Sequence, residues 1–446
     1  MANIKRNAGK LGIANVISLA LNFVSGILLT RILGAEGRGV LAKIEAGAGL
    51  LGQLTTLKSH MGVIYFIANE KIARQKIVTL ALLIILSSLL LSWGIIIGLN
   101  HFGYSSIILP IGYDSDFFIL YSLILFLLTQ GRTIISGFLR GIKNFHEIYV
   151  NQLLIAGTKL LLFAGVFYAI SLNSKQVDVQ EGLLLHLSVV ALAFASTVYF
   201  FLKNFNLKLD FSLPRETVLS PFFGFVGVSA LALITGFLNL KLDIWLVEYF
   251  SGTENLGFYA VAVNLGALLL IFPSTIREVL MPYISSGNKE ENLKNLAFFS
   301  RLNFTGIILV ITFLIILAPY FIPFLYGKEF QQSVGPFQIL ILGIAFRGFA
   351  IVFSAYNYGS GAPKLNFYSN LIGLTSTICL GLFLIPKYGI NGAAITSLAS
   401  YAINAMVIFA SVILVHKVSL AQFNFFLITG HDLAPIKKWI QDRLNS

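Results

Sequence analysis
The sequence predicts an all-α integral membrane protein: twelve transmembrane helices in two six-helix lobes related by a parallel internal repeat. Composition is the first observation behind this. Of 446 residues, 57% are hydrophobic and 11% charged, and mean hydropathy is +0.84, whereas soluble domains carry about 25% charged residues. The second is the length of the apolar stretches, which reach the roughly 20 residues needed to cross the hydrocarbon core. The third is a repeated turn. The chain runs through Gly34-Ala35-Glu36-Gly37-Arg38-Gly39 between two apolar stretches, and again through Gly252-Thr253-Glu254-Asn255-Leu256-Gly257. Gly34, Glu36, Gly39 and Ala42 stand 218 positions before Gly252, Glu254, Gly257 and Ala260.

The same offset holds far from the turn. Ser136, Gly141 and Leu153 fall on Ser354, Gly359 and Leu371, with Phe138 on Tyr356 and Tyr149 on Phe367. Two distant stretches on one ungapped offset mark a duplicated structure.

In order, the first set of spans covers about 11–33, 40–67, 77–99, 117–140, 148–171 and 182–202. The first follows a basic N-terminus but is too long for a signal-peptide core. The second set covers about 222–250, 255–284, 297–319, 334–358, 365–386 and 390–415. Spans 40–67 and 255–284 are long and polar enough to line an interior. Gly47, Gly49 and Gly52, like Gly224 and Gly227, permit close helix approach, and Pro273 and Pro282 permit a kink beside a cavity. Six spans per half give both halves one orientation, as in parallel transporter repeats. The expected division is an N-terminal lobe 1–210, a C-terminal lobe 211–418 and a tail 419–446. The tail, with Phe423, Phe425, Phe426, Ile436 and Trp439 among basic residues, reads as an interfacial helix broken near Pro435. No loop is long enough for an extramembrane catalytic domain; the longest outside one is about 100–116.

Lys and Arg fix the orientation. With a cytoplasmic N-terminus, inside segments hold eighteen of the 31, among them Lys5, Arg6, Lys10, Arg74, Arg140, Lys289 and Lys364. Outside segments hold Arg31, Arg38, Lys175, Lys328 and Lys387. Cytoplasmic segments carry this excess, so both termini are expected inside a multi-pass chain. The net charge of +12 follows from the same bias, and no nucleic-acid partner is expected.

Eight cations remain at membrane depth: Lys43, Lys58, Arg132, Lys159, Lys241, Arg277, Arg301 and Arg347. The acids there are Glu45, Asp243 and Glu278, with Glu248 near an outer span end. Each buried charge costs several kcal/mol unless it faces water or a partner, so such charges mark a pathway or a site. The surplus is cationic, which points to negatively charged cargo. Lys43 and Arg301 lie near enough to span ends to snorkel, and Glu45 is placed to neutralise Lys43. Lys241 and Asp243, two apart, do not face each other on one helix. With Glu278 they serve either structural pairing or coupling of H+ or Na+. Lys58, Arg132, Lys159 and Arg347 are the more informative. The offset puts Lys58 opposite Ile276, beside Arg277, and Arg347 opposite Thr129, three positions from Arg132. Cations at matching depths on matching helices suit a central cavity for phosphate or pyrophosphate, Arg as a bidentate fork and Lys as a point charge. Scattered structural pairing is the alternative.

Other chemistry has little support. The six histidines show no metal-pair spacing, and His60 reads as a packed polar residue or as a titrating one. Gly-x-x-x-x-Gly-Lys-Ser/Thr does not occur, so nothing points to ATP hydrolysis, and no cofactor is expected beyond a coupling cation. The single cysteine, Cys379, allows no intrachain disulfide and reads as an apolar packing residue.

A short basic N-terminus and a first span ending Leu28-Leu29-Thr30-Arg31-Ile32-Leu33-Gly34-Ala35-Glu36-Gly37-Arg38-Gly39 resemble the Wzx-type polysaccharide flippases. These belong to the multidrug/oligosaccharidyl-lipid/polysaccharide exporter superfamily. Asp243-Ile244-Trp245-Leu246 through Gly252 to Gly257-Phe258-Tyr259 looks like that family's seventh-to-eighth helix turn. The resemblance implies a MATE-like fold, no enzyme activity and a place in a bacterial cytoplasmic (inner) membrane. It implies movement of a polyprenyl-diphosphate-linked oligosaccharide, an O-antigen or other surface-glycan repeat unit, to the outer leaflet. Alternating access around a cationic cavity, driven by an ion gradient, would move it. Membrane lipid and polysaccharide polymerase machinery are the further partners. On this reading Lys58, Arg132, Lys159, Arg277 and Arg347 contact phosphate or acidic sugar. One rival is a multidrug antiporter of the same fold, which the cationic interior and the acid-free first span (Leu11 to Leu33) oppose. The others are a membrane glycan polymerase or ligase, expected to show a long outside loop, and a non-transporting scaffold.

Overall fold
The computed structural model describes residues 2–416 apart from 71, 143, 174–176, 206–207, 214 and 287, and beyond them 424–426 and 432. Side chains are described outside 2–13, 225–233, 279, 281–283 and 285–286. The described residues form α1 (Ala2–Thr56), α2 (Ser59–Ala68), α3 (Arg74–His101), α4 (Asp116–Gly141), α5 (Phe145–Asn173) and α6 (Val179–Asn204). There follow α7 (Ser220–Ser251), α8 (Thr253–Leu268), α9 (Ile271–Ser286), α10 (Lys289–Tyr326), α11 (Val334–Gly359) and α12 (Pro363–Val415). Among the described residues nine helical stretches are long and apolar enough to cross a membrane. The chain divides into two compact units, 1–237 with 252–257, and 238–251 with 258–446.

In the first unit α1 holds two of the expected spans, joined at Gly34. That glycine has φ 66° and ψ −175°, left-handed backbone that a side chain resists. Gly252, its counterpart at the 218 offset, has φ 85°. The Tyr113 hydroxyl donates to Glu36 Oε1 at 2.5 Å. Burial, and then the Glu36 carboxylate, push the Tyr113 phenol above its ordinary value. Close approach explains the other motif glycines: a Cβ on Gly39 would overlap the Thr253 carbonyl, and one on Gly257 the Ala35 carbonyl. The contact is reciprocal at the same offset.

The expected second span is interrupted. Leu57 and Lys58 have φ 47° and 59°, so α1 ends at Thr56 and α2 starts at Ser59, whose Oγ donates to the Thr56 carbonyl. Val63, Phe66, Ile77, Ile134, Phe138 and Phe201 pack as a core around α2, α3, α4 and α6. In lipid such a core holds by van der Waals contact and close approach; at Gly141 a Cβ would press into Ile67. Thr56, Thr129 and Thr133 spend their hydroxyls on carbonyls four residues earlier, which satisfies those three groups in the apolar phase. After α6, the Asp210 amide donates to Thr79 Oγ1 at 2.8 Å, and its Oδ1 accepts from the Ser212 amide and hydroxyl at 2.9 and 2.6 Å. The Ser212 bonds hold the Asp210 carboxyl below the ordinary value, and Lys76 at 4.0 Å adds to this.

In the second unit the expected eighth span is likewise split, α8 stopping at Leu268 and α9 starting at Ile271. Pro273 has no N–H to offer the Leu269 carbonyl. α12 holds the last two expected spans, bent at Gly389 with φ 54°. Phe349, Phe353, Tyr356, Ala405 and Ile408 form the core between α11 and α12.

Several side chains depart from the sequence expectations. Phe425, expected on an interfacial helix, is 1% exposed and packs on Phe353 and Phe409, with Ser300 Oγ donating to its carbonyl at 2.7 Å. Most of the tail lies outside the described residues. Arg301 does not snorkel: its Nε and Nη2 donate to Asp432 at 2.8 and 2.6 Å and its Nη1 to the Asn424 carbonyl at 2.6 Å. Lys43 does not snorkel either; it is 2% exposed, drawn inward with the tightly packed Val40, Leu41 and Ile44 beside it. Cys379 is exposed on α12 rather than packed.

Candidate substrate cavity
α4 and α5 carry the two cations that meet in one place. Small residues let α4 sit deep in the first unit: a Cβ on Gly131 would press on Phe194 of α6, and one on Gly137 on the His60 carbonyl of α2. Arg132 follows Gly131 and occupies the wall between two cavities. One, of about 360 Å3, is lined by Arg132, Arg140, His60, Asn22, Asn151 and Gln152, among others. The other, of about 380 Å3, is lined by Arg132, Lys159, Glu45, His186, Thr129 and Gln130, among others. Asn22, Arg132 and Ile155 belong to both. These volumes are in the range of small-ligand sites.

The two chambers differ in charge. No acid lines the first, where Arg132 and Arg140 stand two helical turns apart on α4. Asn151 is fixed by the Ser196 hydroxyl, which donates to its Oδ1 at 2.6 Å, and by donating its own amide to Thr197 Oγ1 at 3.2 Å. The second sets Arg132 and Lys159 against one carboxylate, Glu45. There His186 Nδ1 is 2.8 Å from Tyr121 Oη, and His186 Nε2 is 3.9 Å from Glu45 Oε1. Both chambers carry a positive surplus that suits an anion with hydroxyl or amide groups attached.

Of the five cations assigned to phosphate, the first unit therefore gathers Arg132 and Lys159. Lys58 lies at the break between α1 and α2, two residues from the cavity-lining His60. Arg277, with Glu278 beside it, is on α9 and Arg347 on α11, both in the second unit. There the Arg347 guanidinium lies 5.1 Å from the centre of the Tyr401 ring. Asp243, on α7 with Lys241, accepts from the Tyr259 hydroxyl at 2.7 Å and from the Ile244 amide at 3.0 Å, with Ser397 Oγ at 3.5 Å. Glu45 Oε1 lies 3.9 Å from His186 Nε2. Arg140, Asn22, Asn151 and His186 escaped the sequence reading, whereas His60, read there as packed or titrating, lines the first cavity. Asn22 and Asn151 had a signal, since a carboxamide within an apolar span needs a partner or a cavity.

A sequence profile for a polysaccharide biosynthesis protein family matches residues 28–335. A putative O-antigen transporter of Shigella flexneri is 24% identical over 292 residues, 61% of this chain and 63% of that protein. The chain spans between a third and just under two thirds of the length of such curated relatives. Among solved structures, an inward-facing multidrug resistance MATE family transporter of the MOP superfamily superposes with TM-score 0.68 at 14% identity, covering 88% of this chain and 96% of that one. The lipid II flippase MurJ, in an inward closed conformation, gives 0.63 at 19% identity, covering 89% and 87%. At these identities the likeness shows the fold, which is all-helical and MATE-like. With its apolar helices, the chain is a multi-pass membrane protein.

Proposed function
The chain belongs to the polysaccharide biosynthesis protein family, and from that premise we propose that it is a Wzx-type flippase, moving a polyprenyl-diphosphate-linked oligosaccharide across the cytoplasmic membrane. The observation that carries this is the pair of polar, cation-surplus chambers meeting at Arg132. A diphosphate needs Arg and Lys, while sugar hydroxyls need amides such as Asn22, Asn151 and Gln130. Family membership and the O-antigen transporter relative support the cargo class. The polyprenyl tail stays in lipid while the head group crosses.

Twelve spans in two lobes, 1–210 and 211–418, with a tail 419–446, remain the architecture of this proposal. The shared 218 offset of the Gly34 and Gly252 bends, and of the Gly39 and Gly257 contacts, supports a parallel repeat. Both termini are cytoplasmic by the Lys and Arg distribution. Alternating access exposes the site to each side in turn. Lys58, Arg277 and Arg347 are proposed as further phosphate or acidic-sugar contacts. Asp243, with Tyr259 and Ser397 around it, and Lys241 and Glu278 are the candidates for coupling H+ or Na+. Polymerase machinery would receive the flipped unit.

The test is transbilayer movement of a fluorescent polyprenyl-diphosphate oligosaccharide in proteoliposomes, comparing wild type with folded Arg132→Ala and Arg347→Ala. Movement by the wild type and its loss in both variants is the expected result. Equal movement in all three would leave flipping standing and reject the cation assignment. Export of an organic cation with no lipid movement would replace the proposal with a drug antiporter.

A further inference from the structure
His186 of α6 is enclosed in the second chamber, 7% exposed, between a hydroxyl and a carboxylate. The hydroxyl is that of Tyr121 on α4, itself 2% exposed. This sandwich accommodates both protonation states without breaking a contact. A neutral ring accepts the Tyr121 hydroxyl proton at Nδ1 and turns its Nε2–H toward Glu45. A charged ring donates at Nδ1 to the same oxygen, the hydroxyl having rotated, and keeps Nε2–H toward Glu45.

Burial and the charged groups around the ring together decide which state prevails. From α1, the Glu45 carboxylate lies 3.9 Å from Nε2 and Arg38 bears on the ring as a positive charge; from α5, Lys159 lines the same chamber. From α4, Arg132 adds positive charge to the same chamber. With the chamber empty of anion, cations outnumber the one carboxylate. An anion seated between Arg132 and Lys159 reverses that balance and leaves Glu45 free to pair with a protonated imidazole.

We propose that the Glu45–His186–Tyr121 cluster is a proton-binding site loaded together with the anionic cargo, so that each phosphoanion entering the second chamber brings one proton onto His186. This rests on the anion-binding reading of the cavity. The proton comes from the water that admits the cargo, is held on the Nδ1 lone pair, and leaves when the anion leaves. Histidine is the side chain whose ordinary titration spans the physiological range. Linkage is reciprocal: the anion raises proton occupancy, and the proton raises anion affinity by the same factor.

The test uses the full chain in lipid nanodiscs and a dimethyl diphosphate diester, whose two charges are fixed across the histidine range. Calorimetric titration in two buffers of different ionisation heat reads the protons taken up per anion bound. The expected result is uptake approaching about one proton per anion, with affinity rising as pH falls, by about tenfold per pH unit at the steepest. His186→Gln is expected to bind the diester with no proton uptake and a flat pH profile. Glu45→Gln, which keeps the shape but removes the favouring charge, is expected to move the pH dependence to lower pH. Binding by the wild type without uptake overturns this inference and leaves the cavity reading intact. Unchanged uptake in His186→Gln, or an unshifted profile in Glu45→Gln, also overturns it. No binding at all overturns both readings.

Discussion
A single methyl group is the sharpest probe of the α1 bend. Gly39→Ala drives a Cβ into the Thr253 carbonyl and Gly257→Ala drives one into the Ala35 carbonyl, and backbone does not swing aside as a side chain does. Each is expected to lower stability by about 1–3 kcal/mol, read from the unfolding midpoint in detergent. Gly94→Ala on α3, with open space around it, is expected to leave the midpoint unchanged or raised. Lys58 gives the opposite case. Its φ of 59° costs an L-residue about 1–2 kcal/mol, so Lys58→Gly is expected to hold or raise the midpoint while slowing lipid movement through loss of the ammonium. A normal flipping rate in that variant would remove Lys58 from the site.

The connecting elements carry their own tests. Phe425 fills the space against Phe353 and Phe409, so Phe425→Ala is expected to destabilise the second unit by about 3–5 kcal/mol. Asp432→Ala leaves the Arg301 guanidinium without its carboxylate and is expected to cost a comparable amount, about 3–5 kcal/mol; both are measured by denaturant unfolding. The segment after α6 responds to pH. Asp210 is held below its ordinary value by Ser212. Its stabilisation is therefore complete above the unfolded value of about 3.9 and lost as pH falls through the depressed folded value. Hydrogen exchange at the Asp210 and Ser212 amides, corrected for the intrinsic rate, is expected to lose protection below that range. Asp210→Asn is expected to remove the pH dependence.

At the scale of the whole molecule, the helices were legible because bilayer thickness and apolar run length are one constraint. The bend at Gly34 was legible because few residues tolerate its backbone. The breaks at Leu57–Lys58 and at Leu269–Leu270 differ from each other in this respect. Pro273 announced the second, whereas no residue type at 57 or 58 announces left-handed backbone. Arg132 and Lys159 stood out as charges in apolar runs. Glu45 stood out as an acid at depth, but its meeting with His186 did not, since that depends on how α1 and α6 pack. The tail misled for a related reason: an aromatic cluster reads alike whether it faces headgroups or a protein core. Phe425 and Asp432 have a consequence for biosynthesis. They are translated after every helix they brace, so α10, α11 and α12 enter the bilayer before their packing can be completed. During that interval Arg301 has yet to meet its acid and the Phe349–Phe353 surface has yet to be covered. Until those residues emerge, the nascent second unit lacks both the aromatic contact and the ion pair that brace it.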